Sequence, residues 1–214
     1  MTEKSDTLSE NEIRRIRNHP ERQKLRKSER TRLAILETVE ALVWNHAFRE
    51  LDVAKVMEAV GASRPTFYQY FSDLHAPLEE LLTEIQAEIM EGAVPWFEEV
   101  GDPIPLLEES LRNLVDICYR KGPILRAVYE ATATDEHLEE IWNDFMLRFD
   151  HAVTQRIEQH QAQGLIKEFS ASPVAFALNR MDAAVLIAAF GCEPRAKPDT
   201  IYESISRIWI STLY

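Results

Sequence analysis

The chain has 214 residues, of which 45% are hydrophobic and 28% charged, and its net charge is −12. This length suits one small unit joined to a larger one, and the apolar fraction is sufficient for a buried core. With only two cysteines, Cys118 and Cys192, the composition argues against a disulfide-built scaffold or a cysteine metal site.

The charge is distributed unevenly along the chain. Residues 13–32 contain nine Lys and Arg against two acidic residues, whereas residues 72–214 contain 11 basic and 25 acidic residues. An acidic body is repelled by phosphates, so that only the basic N-terminal end is expected to approach DNA.

The first predicted elements are an arm and a helix. Residues 1–27 are polar and rich in Arg and Lys, which predicts a flexible basic arm. A helix is predicted over residues 28–47, with Ser28 as its N-cap and an apolar stripe that includes Ile35 and Val39.

Two short helices follow, joined by a tight turn. Asp52 is a favoured N-cap for a helix over 53–60, and Gly61 ends that helix. Ser63 is predicted to cap a further helix over 64–71, with Pro65 in its first turn. Two helices in this arrangement make a helix-turn-helix, whose second helix enters the major groove of DNA.

The rest of the chain is predicted to be helical. Asp73 is expected to cap a helix over 74–93, and a broken connector follows. Further helices are predicted over 104–121, 123–133, 135–163, 172–190 and 198–213, with Gly122-Pro123 as one of the breaks. The fold class is therefore all-α. A three-helix DNA-binding domain is expected over 28–72, and a helical effector-binding and dimerisation domain over 73–214.

Side-chain chemistry defines the candidate contacts with DNA. Arg64 can pair with a guanine edge, Gln69 with an adenine edge, and Thr66 with a thymine methyl group. Tyrosine hydroxyls suit phosphates, and a capped helix end can face one. The predicted DNA-binding residues are Arg49, Asp52, Ser63, Arg64, Thr66, Tyr68, Gln69 and Tyr70.

The run DVAKVMEAVGASRPTFYQYF at 52–71 resembles the signature of the TetR family of transcriptional regulators. The variant SRPTFY, with Pro65 where the family usually has Gly, is similar to the EthR-like subgroup. This resemblance implies a homodimer that binds double-stranded operator DNA and carries an all-helical ligand-binding domain. The sequence departs from the family where a phosphate-binding Lys usually stands, because Leu74 occupies that position.

A ligand site is expected in the later helices. Trp142, Phe145 and Phe149 recur on one helix face, a pattern that is more often plain core packing. Asn179 lies within an apolar stretch, as a polar group in a mostly apolar pocket would. The resemblance places Phe149, Asn179, Asp182 and Trp209 along the ligand tunnel. The predicted ligand-binding residues are Trp142, Phe145, Phe149, Asn179, Asp182 and Trp209.

The last two helices are candidates for the homodimer interface, with ordinary core packing as the alternative. They carry Ala183, Ala184, Ala188 and Ala189, then Ile201, Ile205, Ile208 and Leu213.

No pattern in the sequence indicates an enzyme, a metal site or a cofactor. The six histidines lack His-x-x-x-His spacing, and His137, His151 and His160 are expected to be surface or half-buried helix residues. A polar N-terminus and the absence of a long apolar run predict a cytoplasmic protein.

The predicted function is ligand-responsive repression, in which a small apolar effector releases the protein from its operator. One alternative is an activator or global regulator of the same family. The other is a helical small-molecule-binding protein with weak DNA binding.

Overall fold

A computed structural model describes residues 26–98 and 100–214, and these residues form helices and no strand. The all-α class predicted from the sequence is confirmed. Most of the predicted basic arm lies outside the described residues. The helices are α1 (Lys27–Leu42), α2 (Val53–Val60), α3 (Arg64–Phe67), α4 (His75–Gly92), α5 (Val94–Glu98), α6 (Pro103–Ala131), α7 (Glu136–Ala162), α8 (Ala171–Phe190) and α9 (Pro198–Leu213).

The chain divides into two compact units, Met1–Leu81 and Leu82–Tyr214, and the division falls within α4. In the first unit, α1 packs against α2 and α2 against α3. Their apolar stripes meet in a core in which Ile35, Val56 and Phe67 are fully buried. Burial of these side chains supplies most of the stability of helices this short.

Helix α1 differs at both ends from the prediction. It begins at Lys27, one residue earlier than predicted, and Glu29 accepts a hydrogen bond from the backbone N–H of Arg26 at 2.8 Å. Ser28 therefore lies inside the first turn and is not the N-cap. The helix ends at Leu42 instead of residue 47, because the amides of Asn45 and His46 both bond to the Leu42 carbonyl and turn the chain.

The predicted break at Gly122-Pro123 is wrong, because α6 continues through both residues. Proline has no N–H to donate to the carbonyl four residues earlier, which is that of Tyr119. Arg195 Nη1 donates to this Tyr119 carbonyl at 2.7 Å, and the Arg195 guanidinium stacks on the Tyr119 ring at 4.0 Å. The side chain thus replaces the missing helical hydrogen bond.

Gly122 permits a close crossing of α6 and α8. A Cβ atom at this position would lie 2.5 Å from the Phe190 carbonyl oxygen. Glycine is therefore required here for the approach of two backbones, and not to end a helix.

The segment predicted as a broken connector contains a short helix, α5. Pro95 lies in its first turn, where a missing N–H costs no helical hydrogen bond. Trp96 donates its backbone N–H to Ser110 Oγ at 3.1 Å, and its side chain is 2% exposed. This attachment to α6 brings a large aromatic side chain into the core of the second unit.

Helices α6 to α9 pack against one another and enclose the core of the second unit. The apolar faces of α6 and α7 supply much of that core, with Val128 and Leu138 fully buried.

Candidate nucleic-acid interface and ligand cavity

The turn between α2 and α3 has the geometry that the sequence predicts. Asp52 Oδ1 accepts a hydrogen bond from the Lys55 amide at 2.8 Å and so caps α2. Gly61 has φ 77°, and its N–H bonds to the carbonyls of Met57 and Glu58. This left-handed residue ends α2 and turns the chain toward Ser63 within three positions.

Helix α3 is shorter than predicted. It is α-helical over Arg64–Phe67 and not to residue 71, because the Gln69 and Tyr70 amides bond to carbonyls three residues earlier, at 3.3 and 2.9 Å. Such bonds make a tighter turn than an α-helix. Ser63 stands at the N-cap position, but its Oγ bonds to Thr66 Oγ1 at 2.9 Å and to no backbone amide.

Two buried aromatic rings anchor α3 and leave its other face exposed. Phe67 is fully buried and Phe71 is 5% exposed, with ring centroids 5.6 Å apart. The Arg64 guanidinium makes no hydrogen bond or ion pair with another described residue. The predicted DNA-binding residues that are exposed are Arg49, Asp52, Ser63, Arg64, Tyr68 and Gln69, whereas Thr66 and Tyr70 are half-buried.

Asp73 caps α4, as the sequence predicts. Its Oδ1 accepts hydrogen bonds from the amides of His75 at 2.9 Å and Ala76 at 3.2 Å. Burial alone would raise the pKa of Asp73, but these hydrogen bonds hold it below its usual value. The negative charge therefore persists next to the half-buried Leu74, where the family usually has Lys.

The second unit contains an apolar cavity of about 100 Å³. Helices α4 to α9 all contribute side chains to its wall. The six predicted ligand-binding residues, Trp142, Phe145, Phe149, Asn179, Asp182 and Trp209, all line this one cavity. Trp96 also lines the cavity but is not among the predicted residues, because the sequence around Pro95 predicts a connector.

Aromatic rings form much of the cavity wall. Trp142 and Phe145 stack with centroids 5.3 Å apart, and Phe145 meets Phe149 edge to face at 5.1 Å. Trp96 and Trp209 also meet edge to face, at 5.8 Å. Rings in these geometries give a rigid apolar surface suited to a flat or branched apolar group.

Asn179 has a hydrogen-bond partner that the sequence did not indicate. Its Nδ2 donates to Asp150 Oδ1 at 2.9 Å, and Arg180 Nη2 donates to Asp150 Oδ2 at 3.1 Å. The amide of this buried residue is thus fixed by α7, and its carbonyl oxygen is the group left for other contacts.

Asp182 is the most unusual polar group of the cavity. It is 5% exposed, and its Oδ2 accepts a hydrogen bond from Trp209 Nε1 at 3.0 Å. Oδ1 has no hydrogen-bond partner among the residues that the structure describes. Burial raises the pKa of Asp182 to about 8, although the Trp209 hydrogen bond opposes the shift. The carboxyl group is therefore mainly protonated at neutral pH.

A buried hydrogen-bond chain holds the cavity residue Trp96 in place. Trp96 Nε1 lies 3.0 Å from Tyr214 Oη, which lies 2.7 Å from His160 Nδ1. His160 is 2% exposed, so the prediction of a surface or half-buried position is wrong. Burial, with Arg156 nearby, lowers the pKa of His160 to about 4. A neutral His160 accepts from Tyr214, and Tyr214 accepts from Trp96.

Solved structures with a similar fold include TetR-family transcriptional regulators. A TetR-family regulator from Syntrophomonas wolfei superposes with a TM-score of 0.75 at 15% identity, covering 87% of this chain and 96% of that one. The structure of AibR in complex with isovaleryl coenzyme A and operator DNA gives a TM-score of 0.63 at 16% identity, covering 83% and 97%.

A family model described as the C-terminal domain of the transcriptional regulator EthR matches residues 107–214. The chain is an EthR-like regulator of the TetR family. A curated relative, the HTH-type transcriptional regulator EthR of Mycobacterium tuberculosis strain H37Rv, is 26% identical over 186 residues, which cover 85% of this chain and 86% of that protein. The curated relatives are named transcriptional regulators, which is a non-enzymatic class. In residues 26–98 and 100–214, no group of three or more His, Cys, Asp or Glu could hold a metal ion.

One described helix of this EthR-like regulator, α8, is long and apolar enough to cross a membrane by length and composition alone. Helices at the core of a protein share these properties. Because α8 packs against α6 and α7 and carries the cavity residues Asn179 and Asp182, we interpret it as a core helix.

The buried Asp182 predicts a pH-dependent stability. Between pH 4 and 8, Asp182 keeps its proton in the folded state and loses it in the unfolded state. Its contribution to the free energy of unfolding is therefore complete below pH 4 and is lost as the pH rises toward 8. Asp182→Asn removes this titration while keeping an acceptor for Trp209. The difference in free energy of unfolding between the wild type and Asp182→Asn is compared at pH 5 and pH 8. From pH 5 to pH 8, the wild type should lose roughly 2–4 kcal/mol more stability than the variant. Urea unfolding at both pH values measures it, and parallel profiles for the two proteins would contradict it.

Proposed function

We propose that this EthR-like regulator is a homodimeric repressor that leaves its operator when a small apolar molecule occupies the cavity of its second unit. The observation that carries the proposal is that one chain contains both an exposed polar edge at α3 and an apolar cavity lined by the predicted ligand-binding residues. The AibR structure supports the two binding activities and not the release step, since that protein of the same fold is named in complex with both a ligand and operator DNA.

The exposed edge supports base recognition by α3. The free guanidinium of Arg64 and the amide of Gln69 suit the edges of guanine and adenine, and Thr66 can meet a thymine methyl group. Contacts to phosphates, which set the register on the duplex, are assigned to Arg49, Tyr68, Tyr70 and the capped N-terminal end of α2 at Asp52. Ser63 would order Thr66 through the bond between their hydroxyls.

The volume of the cavity limits the size of the effector. An effector must either fit the present volume or enlarge the cavity when it binds. A cavity of about 100 Å³ is below the range of typical ligand pockets, which begin at about 300 Å³. A longer effector must therefore displace wall side chains such as Phe145 or Trp209. Because only the ligand-bound state would carry that displacement, the effector can favour a conformation unable to hold the operator.

The last two helices support a homodimer interface, but not at every predicted position. Ile205 and Leu213 are 1% and 4% exposed and face the core of their own chain. The exposed apolar side chains of α8 and α9 include Phe176, Ala184, Ala188 and Ile208. We assign the interface to these four residues, and a purified chain that sediments as a monomer would refute the assignment.

The alternatives lack a supporting observation. Nothing in the described residues favours an activator over a repressor. A binding protein without DNA recognition would not need the exposed, unpaired Arg64, and the experiments below separate it from the repressor. Because this regulator would act on operator DNA, we place it in the cytoplasm.

The DNA-binding part is tested with Arg64→Ala. Loss of a bidentate base contact should weaken binding to the DNA upstream of the protein's own gene by roughly 1–3 kcal/mol and relax specificity at one base pair. Mobility-shift titrations with single-base-pair variants of that DNA measure both effects. Arg148→Ala, which removes an exposed arginine of α7, is the control and should change neither. An equal loss on all DNA sequences would show that Arg64 touches only phosphate.

The ligand-release part is tested with Ala183→Leu, which adds bulk to the cavity wall. Apolar compounds that release the wild type from its operator should fail to release this variant, while its operator affinity without compound should stay within about twofold. Ala162→Leu, at the exposed end of α7, serves as the matched control and should respond like the wild type. Unchanged release of Ala183→Leu would remove the cavity from the mechanism.

A further inference from the structure

A groove on the surface of the second unit lies next to the cavity. It runs between the C-terminal end of α4, helix α5 and helix α7, and its volume is about 480 Å³. Its apolar lining is Met90, Val94, Phe97 and Ala152. All described residues that line this α5–α7 groove are exposed or half-buried, whereas most of those that line the cavity are buried. The groove is therefore open to solvent.

One side chain, that of Phe97, belongs to the walls of both spaces. Its neighbour Trp96 lines the cavity alone, and its neighbour Glu98 lines the groove alone. The same division occurs on α7, where Val153 lines the cavity and Ala152 the groove. At Phe97, the cavity and the groove are therefore separated by a single aromatic side chain.

Phe97 is held less firmly than its neighbour. Trp96 is 2% exposed, and it donates its backbone N–H to Ser110 and its indole N–H to Tyr214. The Phe97 ring has no polar atom with which to be anchored, is half-buried, and packs against the Trp96 ring with centroids 5.4 Å apart. A half-buried ring held by packing alone can change rotamer at less cost than a ring that hydrogen bonds fix in the core.

The α7 side of the groove offers hydrogen-bond donors. Gln159 Oε1 accepts from Arg156 Nη1 at 3.3 Å, so that the Nε2 group is the end of this amide that can donate. Gln155 lies one helical turn earlier, and its exposed side chain makes no hydrogen bond with another described residue. A ligand along α7 thus meets side-chain amides at two successive turns.

The opposite side of the groove offers only acceptors. Glu91 on α4 and Glu98 on α5 are both exposed, and neither forms an ion pair with another described residue. An anionic group in the groove would face these two carboxylates, and a cationic group could not use the donors of α7. A neutral amide, which both donates and accepts, matches the two sides at once.

Building on the proposed function, we propose that the cavity and the α5–α7 groove form one site for a two-part ligand, whose short apolar end occupies the cavity and whose neutral, amide-bearing chain crosses at Phe97 into the groove. A cavity of about 150 Å³ accommodates benzene, so that about 100 Å³ suits a chain of roughly four carbon atoms. So few atoms give little affinity by themselves. The groove supplies the contacts that the cavity has no room for.

Four compounds with the same four-carbon tail test the proposal. Pentanamide reaches no further than the cavity, and N-pentanoylglycinamide adds a second amide for the groove. N-pentanoylglycine replaces that second amide by a carboxylate, and N-(2-aminoethyl)pentanamide replaces it by an ammonium group. Their affinities for the full-length protein are measured by ligand-observed NMR titration at neutral pH.

The neutral extended compound should bind most tightly. N-pentanoylglycinamide should bind about tenfold more tightly than pentanamide, which corresponds to one or two ordinary net hydrogen bonds. It should bind about fivefold more tightly than either charged compound, because each of these loses the hydrogen bonds to one side of the groove.

Two variants separate the groove from the cavity. Ala152→Leu fills the groove, so that the tenfold advantage of N-pentanoylglycinamide should disappear while pentanamide binds as before. Ala162→Leu, exposed on the same helix, is the matched control and should change no affinity. Replacing both Gln155 and Gln159 by Met keeps the length of the side chains but removes their amides, and the advantage should again be lost.

Four results would overturn the proposal: equal affinities for N-pentanoylglycinamide and pentanamide, tighter binding of a charged compound, an advantage that survives Ala152→Leu, or no binding of N-pentanoylglycinamide. Each of them leaves operator binding untouched, since the Arg64→Ala titrations measure it separately. Ala183→Leu, which fills the cavity itself, should weaken all four compounds. Unchanged binding in this variant would count against the cavity and hence against the proposed function, whereas loss of the extension's advantage alone counts against the groove.

Discussion

The cost of burying a polar group without a partner governs the second unit of this regulator. Three groups illustrate it: the Tyr119 carbonyl, the Asn179 amide and the Asp182 carboxyl. Arg195 satisfies the first and Asp150 the second. Only Asp182 is left half satisfied, with one oxygen bonded to Trp209 and one unpaired. Of these three groups, the one that keeps an unpaired atom lies in the wall of the cavity, and in a binding protein a ligand is expected at such a place.

The same constraint explains how the cavity wall is held. Trp96, Trp142, Phe145 and Trp209 are large rings whose positions must be fixed if the cavity is not to collapse. Stacking fixes Trp142 on Phe145, the indole of Trp209 is held by Asp182, and that of Trp96 by Tyr214. Since Tyr214 in turn bonds to His160, the end of the chain is tied to α7. A ligand that moves Trp209 or Trp96 would therefore strain contacts in several helices, which is how occupancy of a small cavity can change the state of a whole unit.

Much of the fold was predictable because the signals are local. Asp52, Gly61 and Asp73 act within four residues of the helix ends that they define, so that their side chains alone indicate the caps. Helices α7, α8 and α9 agree with prediction to within one residue at each end, since they begin and end at ordinary polar or Gly-containing breaks. The six expected ligand-binding residues share one cavity because a helical repeat puts them on inward faces, although their role as ligand contacts stays a prediction.

The remainder depends on partners far along the chain. Gly122-Pro123 predicts a break in any local analysis, and only Arg195, 76 positions from Tyr119, makes the continuous helix possible. Asn179 pairs with Asp150 on another helix, and Tyr214 draws His160 inside, which no spacing indicates. The sequence does not predict the position of Trp96 for a related reason. Pro95 indicates a break in any local analysis, whereas it lies in the first turn of α5, which Ser110 anchors through the Trp96 amide.

Ligand in the cavity and operator on the exposed edge are proposed to exclude one another, and thermodynamic linkage measures this exclusion. With a compound that releases the wild type from its operator, the affinity for operator is measured with and without compound, and the affinity for compound with and without operator. We expect both affinities to fall by the same factor, within the roughly 5- to 150-fold range common for coupled sites. A compound that binds the free and the operator-bound protein equally well would contradict it.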